Sequence, residues 1–151
     1  MIIYTQVQTL PLDKGKVLQL ALTHDLVETY AGDTYFHSDA EKHAAQKERE
    51  AEATKRIAQE FADFPTLQAS IHEYEERKTE EARFVYAMDK LVPLLIIYQD
   101  GGRQWHELKV TLRMITEGKR PKVALSPEVV PYFEAMISRL EQEPELLTQE
   151  S

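Results

Sequence analysis

Apolar residues recur every three or four positions through most of this chain, and this spacing restricts its fold more than any other feature. Such spacing lines apolar side chains along one side of an α-helix, whereas a half-buried strand needs strict alternation. Alternation is suggested only in residues 1–9. The pattern predicts an all-α fold of about six helices, over residues 17–30, 39–64, 66–76, 80–98, 105–117 and 127–141.

Residues that start or stop helices mark the ends of these segments. Asp13 and Thr79 are suitable N-caps, and Ser38 with Glu41 three positions later forms a capping-box pattern. Pro127 fits the first turn of the last helix. Helix ends are predicted at glycines, namely Gly32, Gly101, Gly102 and Gly118.

The length of 151 residues suits one domain with a sizeable core. No internal repeat or long linker divides the chain. We place the helical domain at residues 1–141 and expect the acidic tail at 142–151 to be frayed. Pro93 lies inside the most apolar segment and is expected to kink it.

The balance of charged residues limits the partners. The chain has 18 Lys and Arg against 26 Asp and Glu, a net charge of −8, which argues against binding nucleic acid or an anionic membrane surface. Neither a signal peptide nor a membrane-spanning run is visible, so we expect a cytoplasmic protein. The chain has no cysteine, so any metal ion must be held by histidine and carboxylates.

A group of polar residues interrupts the otherwise apolar first helix. His24 and Glu28 are four positions apart and would share one face of a continuous helix, and Asp25 and Glu28 are three apart. An imidazole and a carboxylate suit a divalent metal ion, and a second carboxylate nearby suits proton transfer. A solvated polar edge of the helix is the alternative interpretation of the same residues.

Another carboxylate, Asp89, borders the apolar face of the most apolar segment, between Val85 and Val92. A buried carboxylate is usually paired with a cation or bound to a metal ion. An ion pair with Lys90 or Arg83 would explain Asp89 as well as a metal ion would, and both interpretations stay open.

The stretches around these residues resemble the HD-domain metal-dependent phosphohydrolases, and among them the 5′-deoxynucleotidase-like group. The resemblance covers about residues 10–141. It rests on the order and spacing of several pieces, namely Lys16-Val-Leu-Gln-Leu-Ala-Leu-Thr-His24-Asp25, Glu28-Thr-Tyr-Ala-Gly-Asp33-Thr-Tyr, Glu73-Tyr-Glu, Thr79-Glu-Glu-Ala-Arg-Phe-Val, Asp89-Lys-Leu and Gly101-Gly-Arg-Gln-Trp105.

This resemblance implies an all-α fold with one divalent metal ion, whose identity among Mn, Co, Mg, Fe, Ni and Zn stays open. Three of the family's four metal ligands match His24, Asp25 and Asp89. By the same resemblance, Glu28 would orient or deprotonate the attacking water, and Asp33 would assist the nucleophile or the substrate. The implied activity is phosphate release from a nucleotide such as a deoxynucleoside 5′-monophosphate.

One part of the family pattern is missing. The family's first metal-binding histidine lies on an earlier helix, but none of the 23 residues before His24 is histidine. We therefore expect a shortened or divergent bundle that lacks the usual first helix or two. Water, a residue of a second chain or another histidine could complete the site, the candidates in this chain being His37, His43, His72 and His106.

Two other interpretations remain. A catalytically inactive HD-like protein, kept as an interaction or regulatory module, is the alternative function. An unrelated helical protein with a coincidental His-Asp pair would require several matching stretches to arise by chance.

The missing helix has a consequence for packing. It would uncover apolar surface on segments 17–30 and 84–97, and such surface usually finds a partner, so we expect a homodimer or higher oligomer. Ile2, Ile3, Val7 and Leu10 follow helical spacing and could be the remnant of that helix. Residues 41–60 are expected to form a solvated helix face, with a lid over the site as the alternative.

Overall fold

The computed structural model describes residues 10–32 and 40–149, with all of their side chains except those of 40–44 and 47. Within these ranges the chain is helical and has no strand, which confirms the all-α prediction. Eight helices are present there rather than about six: α1 (Lys14–Thr23), α2 (Leu26–Ala31), α3 (Ala40–Glu60), α4 (Pro65–Glu76), α5 (Glu80–Gln99), α6 (Arg103–Glu107), α7 (Leu112–Val123) and α8 (Val130–Gln142), with a 3₁₀ turn at Pro144–Leu146.

The chain divides into two compact units, with the boundary between Glu81 and Ala82. The first unit contains α1 to α4 and the start of α5, and the second contains the rest of α5, α6 to α8 and the tail.

No helix in the described ranges combines the length and apolarity needed to cross a bilayer. The domain limits of 1–141 stay a prediction. The capping box at Ser38 and the possible strand at 1–9 lie outside the described residues.

In the first unit, α2 packs on α3 and α1 packs on α4. A buried apolar cluster joins α2, α3 and α4, and its members are Val27, Ala53, Ile57 and Ile71. Burying such aliphatic side chains contributes roughly 1.5–3 kcal/mol each for the larger ones. Most side chains described in α3 are exposed, as predicted, but one stripe of this charge-rich helix is part of the core.

The predicted helix over 17–30 is wrong in one respect, because the chain breaks it into α1 and α2 at His24 and Asp25. Asp25 has φ −89° and ψ 0°, outside the helical region. Thr23 Oγ1 donates to Gln19 O at 3.0 Å, and the His24 ring bonds to Ala21 O at 2.8 Å. Side chains that bond to the nearby backbone in this way compete with helix continuation. The ends at Asp13 and Gly32 agree with the prediction.

In the second unit, the predicted helix over 105–117 is also divided. Lys109 adopts φ 54°, in the left-handed region, and so separates α6 from α7. The helix end predicted at Gly118 is wrong, since α7 continues to Val123. Ile115 and Val123, eight positions apart on one face, are both buried, and this burial outweighs the cost of about 1 kcal/mol for a glycine inside a helix.

The start of the last helix is corrected by three positions. Helix α8 begins at Val130, and Pro131 rather than Pro127 lies in its first turn. Pro127 lies in a turn closed by bonds from the Val129 and Val130 amides to Ser126 O, at 3.0 and 3.3 Å. Because proline fits such a turn as well as the first turn of a helix, the sequence alone does not separate the two positions.

The chain after α8 is ordered as far as it is described, so the expectation of a frayed tail is wrong for residues 142–149. Leu147 is buried, and the amide of Thr148 donates to Val110 O at 2.9 Å. Tyr98 donates its hydroxyl to the Glu143 carboxylate at 3.0 Å. We call residues 143–149 the C-terminal strap.

Gly102, in the turn after α5, lies close to the backbone of the strap at Leu146. Its φ is 72°, and a Cβ added there would lie on the carbonyl oxygen of Leu146, far inside van der Waals distance. We expect Gly102→Ala to lower the free energy of unfolding by about 1–2 kcal/mol, because backbone strain adds to the clash. Urea denaturation measures the loss.

Gly101→Ala is the matched control for this prediction. Its φ is 71°, but an added Cβ would meet no atom within 4 Å. We expect only the backbone strain there, about 1 kcal/mol. Equal losses in the two variants would contradict the close approach of the strap.

Candidate metal centre

The break between α1 and α2 is where the His-Asp pair lies. His24 is the C-cap of α1, and its amide donates to Leu20 O at 2.9 Å. Asp25 is the N-cap of α2, and its carbonyl accepts the amide of Thr29 at 3.2 Å. The backbone of both residues is therefore held by the two helices, and their side chains project from a turn instead of a helix face.

The hydrogen bonds of the His24 ring assign its two nitrogens different roles. Nδ1 lies 2.8 Å from Ala21 O, and a carbonyl oxygen only accepts, so Nδ1 carries a proton. Nε2 points to the other side, 3.1 Å from Asp25 Oδ1. In the neutral ring, Nε2 then has its lone pair directed towards the space that this carboxylate oxygen also faces.

Nε2 of His24 and Oδ1 of Asp25 fit a divalent metal ion. A nitrogen lone pair and an anionic oxygen repel each other at 3.1 Å unless a proton or a cation lies between them. Imidazole nitrogen together with carboxylate oxygen is the donor set of many first-row metal sites. A histidine that ligates metal commonly donates its other N–H to a backbone carbonyl, as Nδ1 does to Ala21.

The ring of His24 is further oriented by Tyr74 of α4. The two ring centroids are 5.5 Å apart, with an interplanar angle of 62° in an edge-on arrangement. Tyr74 is buried, and the His24 side chain is only 18% exposed, against 66% for Asp25. The imidazole is thus held from two sides, while the carboxylate remains accessible from solvent. Sequence reasoning did not assign this function to Tyr74, although it is part of the Glu73-Tyr-Glu stretch.

Glu28 lies in the first turn of α2 and is half-buried. It does not share a helix with His24, so the prediction of one helix face for these two residues is wrong. The carbonyl of Glu28 accepts the amide of Gly32, at 2.7 Å, which closes α2. Asp33, the next residue, lies outside the described residues, and its assigned part in the site stays a prediction.

Asp89 belongs to the second unit, on α5. Its Oδ2 lies 2.6 Å from Lys90 Nζ, so the predicted ion pair with Lys90 is present. Lys90 Nζ also lies 5.1 Å from the centre of the Tyr86 ring. On α7, burial lowers the pKa of Lys119 to about 8, and the charges of Lys90 and Lys122 lower it further, while Asp89 opposes the shift. The assignment of Asp89 as a metal ligand, made from the sequence, stays a prediction.

The two other histidines whose side chains are described both lie at the surface. His72 on α4 is 73% exposed, with Nε2 lying 3.5 Å from Glu76 Oε2. His106 on α6 is exposed. His37 and the side chain of His43 lie outside the described residues. His72 and His106 therefore have the surroundings of surface residues.

Three comparisons place the chain among known proteins. Residues 1–129 match the model of the HD domain family. The chain is 33% identical over 118 residues to the 5′-deoxynucleotidase HDDC2 of Dictyostelium discoideum, an alignment that covers 74% of this chain and 60% of that protein. It superposes with a TM-score of 0.75 and 30% identity on a crystal structure described as a predicted metal-dependent phosphohydrolase from Magnetospirillum magnetotacticum MS-1, covering 91% of this chain and 70% of that one.

These matches agree with one another in fold and in family. The chain spans about 60% of the length of its curated relative, so the activity of that longer protein is not transferred with the match. The family model, however, covers most of this chain, including the His24-Asp25 turn. The chain belongs to the HD domain family.

Proposed function

We propose that this chain is a metal-dependent phosphohydrolase that releases phosphate from a nucleotide, such as a deoxynucleoside 5′-monophosphate. The observation that carries the proposal is the His24-Asp25 turn, where a ring nitrogen and a carboxylate oxygen face the same space, 3.1 Å apart. The similarity to a 5′-deoxynucleotidase and to a predicted metal-dependent phosphohydrolase supports this reaction class.

The ligands of one divalent metal ion would be His24, Asp25 and, from the second unit, Asp89. The first two are supported by the donor atoms described above, and the third by its place in the family pattern. A bound divalent ion lowers the pKa of a coordinated water and offsets phosphate charge, so that neither a serine nor a cysteine nucleophile is required.

The protein's own residues would supply positioning and proton transfer. Glu28, four positions before the helix-closing Gly32, would orient the water or take its proton, because a half-buried carboxylate can accept a proton at close range. Asp33 would assist the nucleophile or bind the sugar of the substrate. The net charge of −8 does not oppose a phosphate substrate, because the metal ion supplies the local positive charge.

The direct test measures metal and activity on the same sample. We expect near-stoichiometric divalent metal by mass spectrometry, and phosphate release from deoxynucleoside monophosphates with Mn²⁺, Co²⁺ or Mg²⁺. Absence of both would contradict the proposal and favour the inactive interaction module. Metal without phosphate release would leave a metal-binding protein and remove the hydrolase assignment for these substrates.

The expected oligomer and location are separate proposals. Light scattering at micromolar concentration should give a mass of at least twice 17.5 kDa if the chain forms a homodimer. A mass of one chain would contradict that expectation. Cytoplasmic localisation remains a prediction from the sequence.

A further inference from the structure

Gln46 is a buried amide on a helix whose other described side chains are mostly exposed. It is 7% exposed, and the only other buried polar residues among those described are Ser70 and Ser126. A buried amide without hydrogen bonds costs stability, so its partners indicate why it is there.

Those partners lie at the end of α2, not only on α3. Gln46 Nε2 donates to Gly32 O at 2.8 Å and to Glu50 Oε1 at 2.9 Å. Gln46 Oε1 accepts a bond from Arg49 Nη2, and Arg49 Nε donates to Ala31 O at 3.1 Å. Two adjacent side chains of α3 thus bind two consecutive carbonyls where α2 ends.

Carbonyls at a helix end have no partner within the helix and must find one elsewhere. Helix α2 has six residues, so it is too short to be stable by its own backbone bonds. Gly32 adopts φ 74°, which turns the chain sharply at this point. The bonds from α3 therefore hold the last turn of α2 and the carbonyl of Gly32.

We propose that Gln46 and Arg49 are positioning residues of the candidate site, because they hold the end of the short helix that carries Glu28. The proposal rests on the proposed function, in which the Glu28 carboxylate acts on the attacking water. Glu28 is joined to the turn by the bond from the Gly32 amide to its own carbonyl, at 2.7 Å.

Gln46→Met is the variant that tests the role, since methionine keeps the length and helix propensity of glutamine but cannot donate to Gly32 O. Gln68→Met is the matched control. Gln68 on α4 also donates its amide to a backbone carbonyl of α3, Ala58 O at 3.3 Å. It is half-buried, whereas Gln46 is buried, and it bonds to no residue of α2 in the contacts described.

We expect Gln46→Met to speed hydrogen exchange of the Gly32 amide by about tenfold or more, because the end of α2 opens more often. Bound metal should stay at the wild-type ratio, since His24 and Asp25 lie at the opposite end of α2. The kcat for phosphate release should fall by about tenfold to a hundredfold at a similar KM, because displacing a catalytic group slows the chemical step. Gln68→Met should change neither exchange at Gly32 nor kcat.

Unchanged exchange at Gly32 in Gln46→Met would overturn the inference that Gln46 holds the end of α2. Faster exchange with wild-type kcat would overturn its catalytic purpose. A wild-type protein without phosphate release would instead defeat the proposed function, and the exchange data would still decide whether Gln46 holds the turn. If Gln46→Met does not fold, Arg49→Lys provides the test instead. It keeps the charge at an exposed position but loses the planar guanidinium, so a smaller effect in the same direction is expected.

Discussion

Replacing His24 by alanine should remove the bound metal ion and reduce phosphate release by about a hundredfold or more. The variant loses Nε2, the only nitrogen donor beside Asp25 Oδ1 among the described contacts, and loss even of an outer partner of a metal ligand commonly costs 10–100-fold. Metal content by mass spectrometry and initial rates with saturating Mn²⁺ measure the two effects.

His72→Ala is the control for that experiment. His72 lies in the same unit on α4, but its side chain is 73% exposed and faces Glu76. We expect wild-type metal content and rate in this variant. If His72→Ala lost the metal and His24→Ala kept it, the assignment of the ligand would be reversed, and one of the alternatives raised by the missing first histidine would be correct.

The second large effect concerns Lys119, where replacement should stabilise the protein. Burial lowers the pKa of this ammonium to about 8 from an ordinary 10.5, and nearby Lys90 and Lys122 lower it as well. Below pH 8 the side chain is charged in both the folded and the unfolded chain. Keeping this charge in a buried position destabilises the folded state. At 1.36 kcal/mol per pKa unit, the difference between 10.5 and about 8 corresponds to about 3 kcal/mol, so Lys119→Met should raise the free energy of unfolding at pH 7 by up to about 3 kcal/mol.

The sign of the pH dependence gives an independent check of this prediction. Between pH 8 and 10.5 the unfolded chain binds more protons at Lys119 than the folded chain, so the wild type gains stability as the pH rises. The advantage of Lys119→Met should therefore shrink from pH 7 to pH 10. Urea denaturation at both pH values measures it, and Lys55→Met, at a 72% exposed side chain, should change stability little at either pH. A variant less stable than wild type at pH 7 would contradict the prediction.

Much of the helical pattern could be predicted because periodicity and capping residues act locally. Asp13 accepts the Lys16 amide at 3.1 Å, Gly32 closes α2, and α5 begins at Glu80 directly after Thr79, as their residue types indicate. Where the prediction failed, side chains or distant packing had decided the outcome. His24 and Thr23 bond to their own preceding turn, and burial of α7 carries the helix through Gly118.

The candidate site was predicted in part for the same reason. His24 and Asp25 are recognisable as a dipeptide, but the bond to the Ala21 carbonyl that gives the two ring nitrogens different roles depends on the break in the helix. The role of Gln46 was not predicted, because it lies in a charge-rich stretch of sequence that indicates an exposed helix. One signal was available, since Gln46, Arg49, Ala53 and Ile57 follow a spacing of three and four and so share one stripe of α3.

The C-terminal strap matters to anyone who shortens this chain for experiment. The helical periodicity ends near residue 141, and the sequence after it resembles a polar tail, so residue 141 would be a natural choice for the end of a shortened chain. Cutting there would remove Leu147 from a buried position, leave Val110 O without the Thr148 amide and leave the Tyr98 hydroxyl without Glu143. A truncated form would then lose stability and gain apolar surface for reasons unrelated to the candidate metal site, and its low yield or aggregation would be mistaken for a defect of that site. Fragments of this protein should therefore extend through Gln149, and affinity tags should follow a linker placed after it.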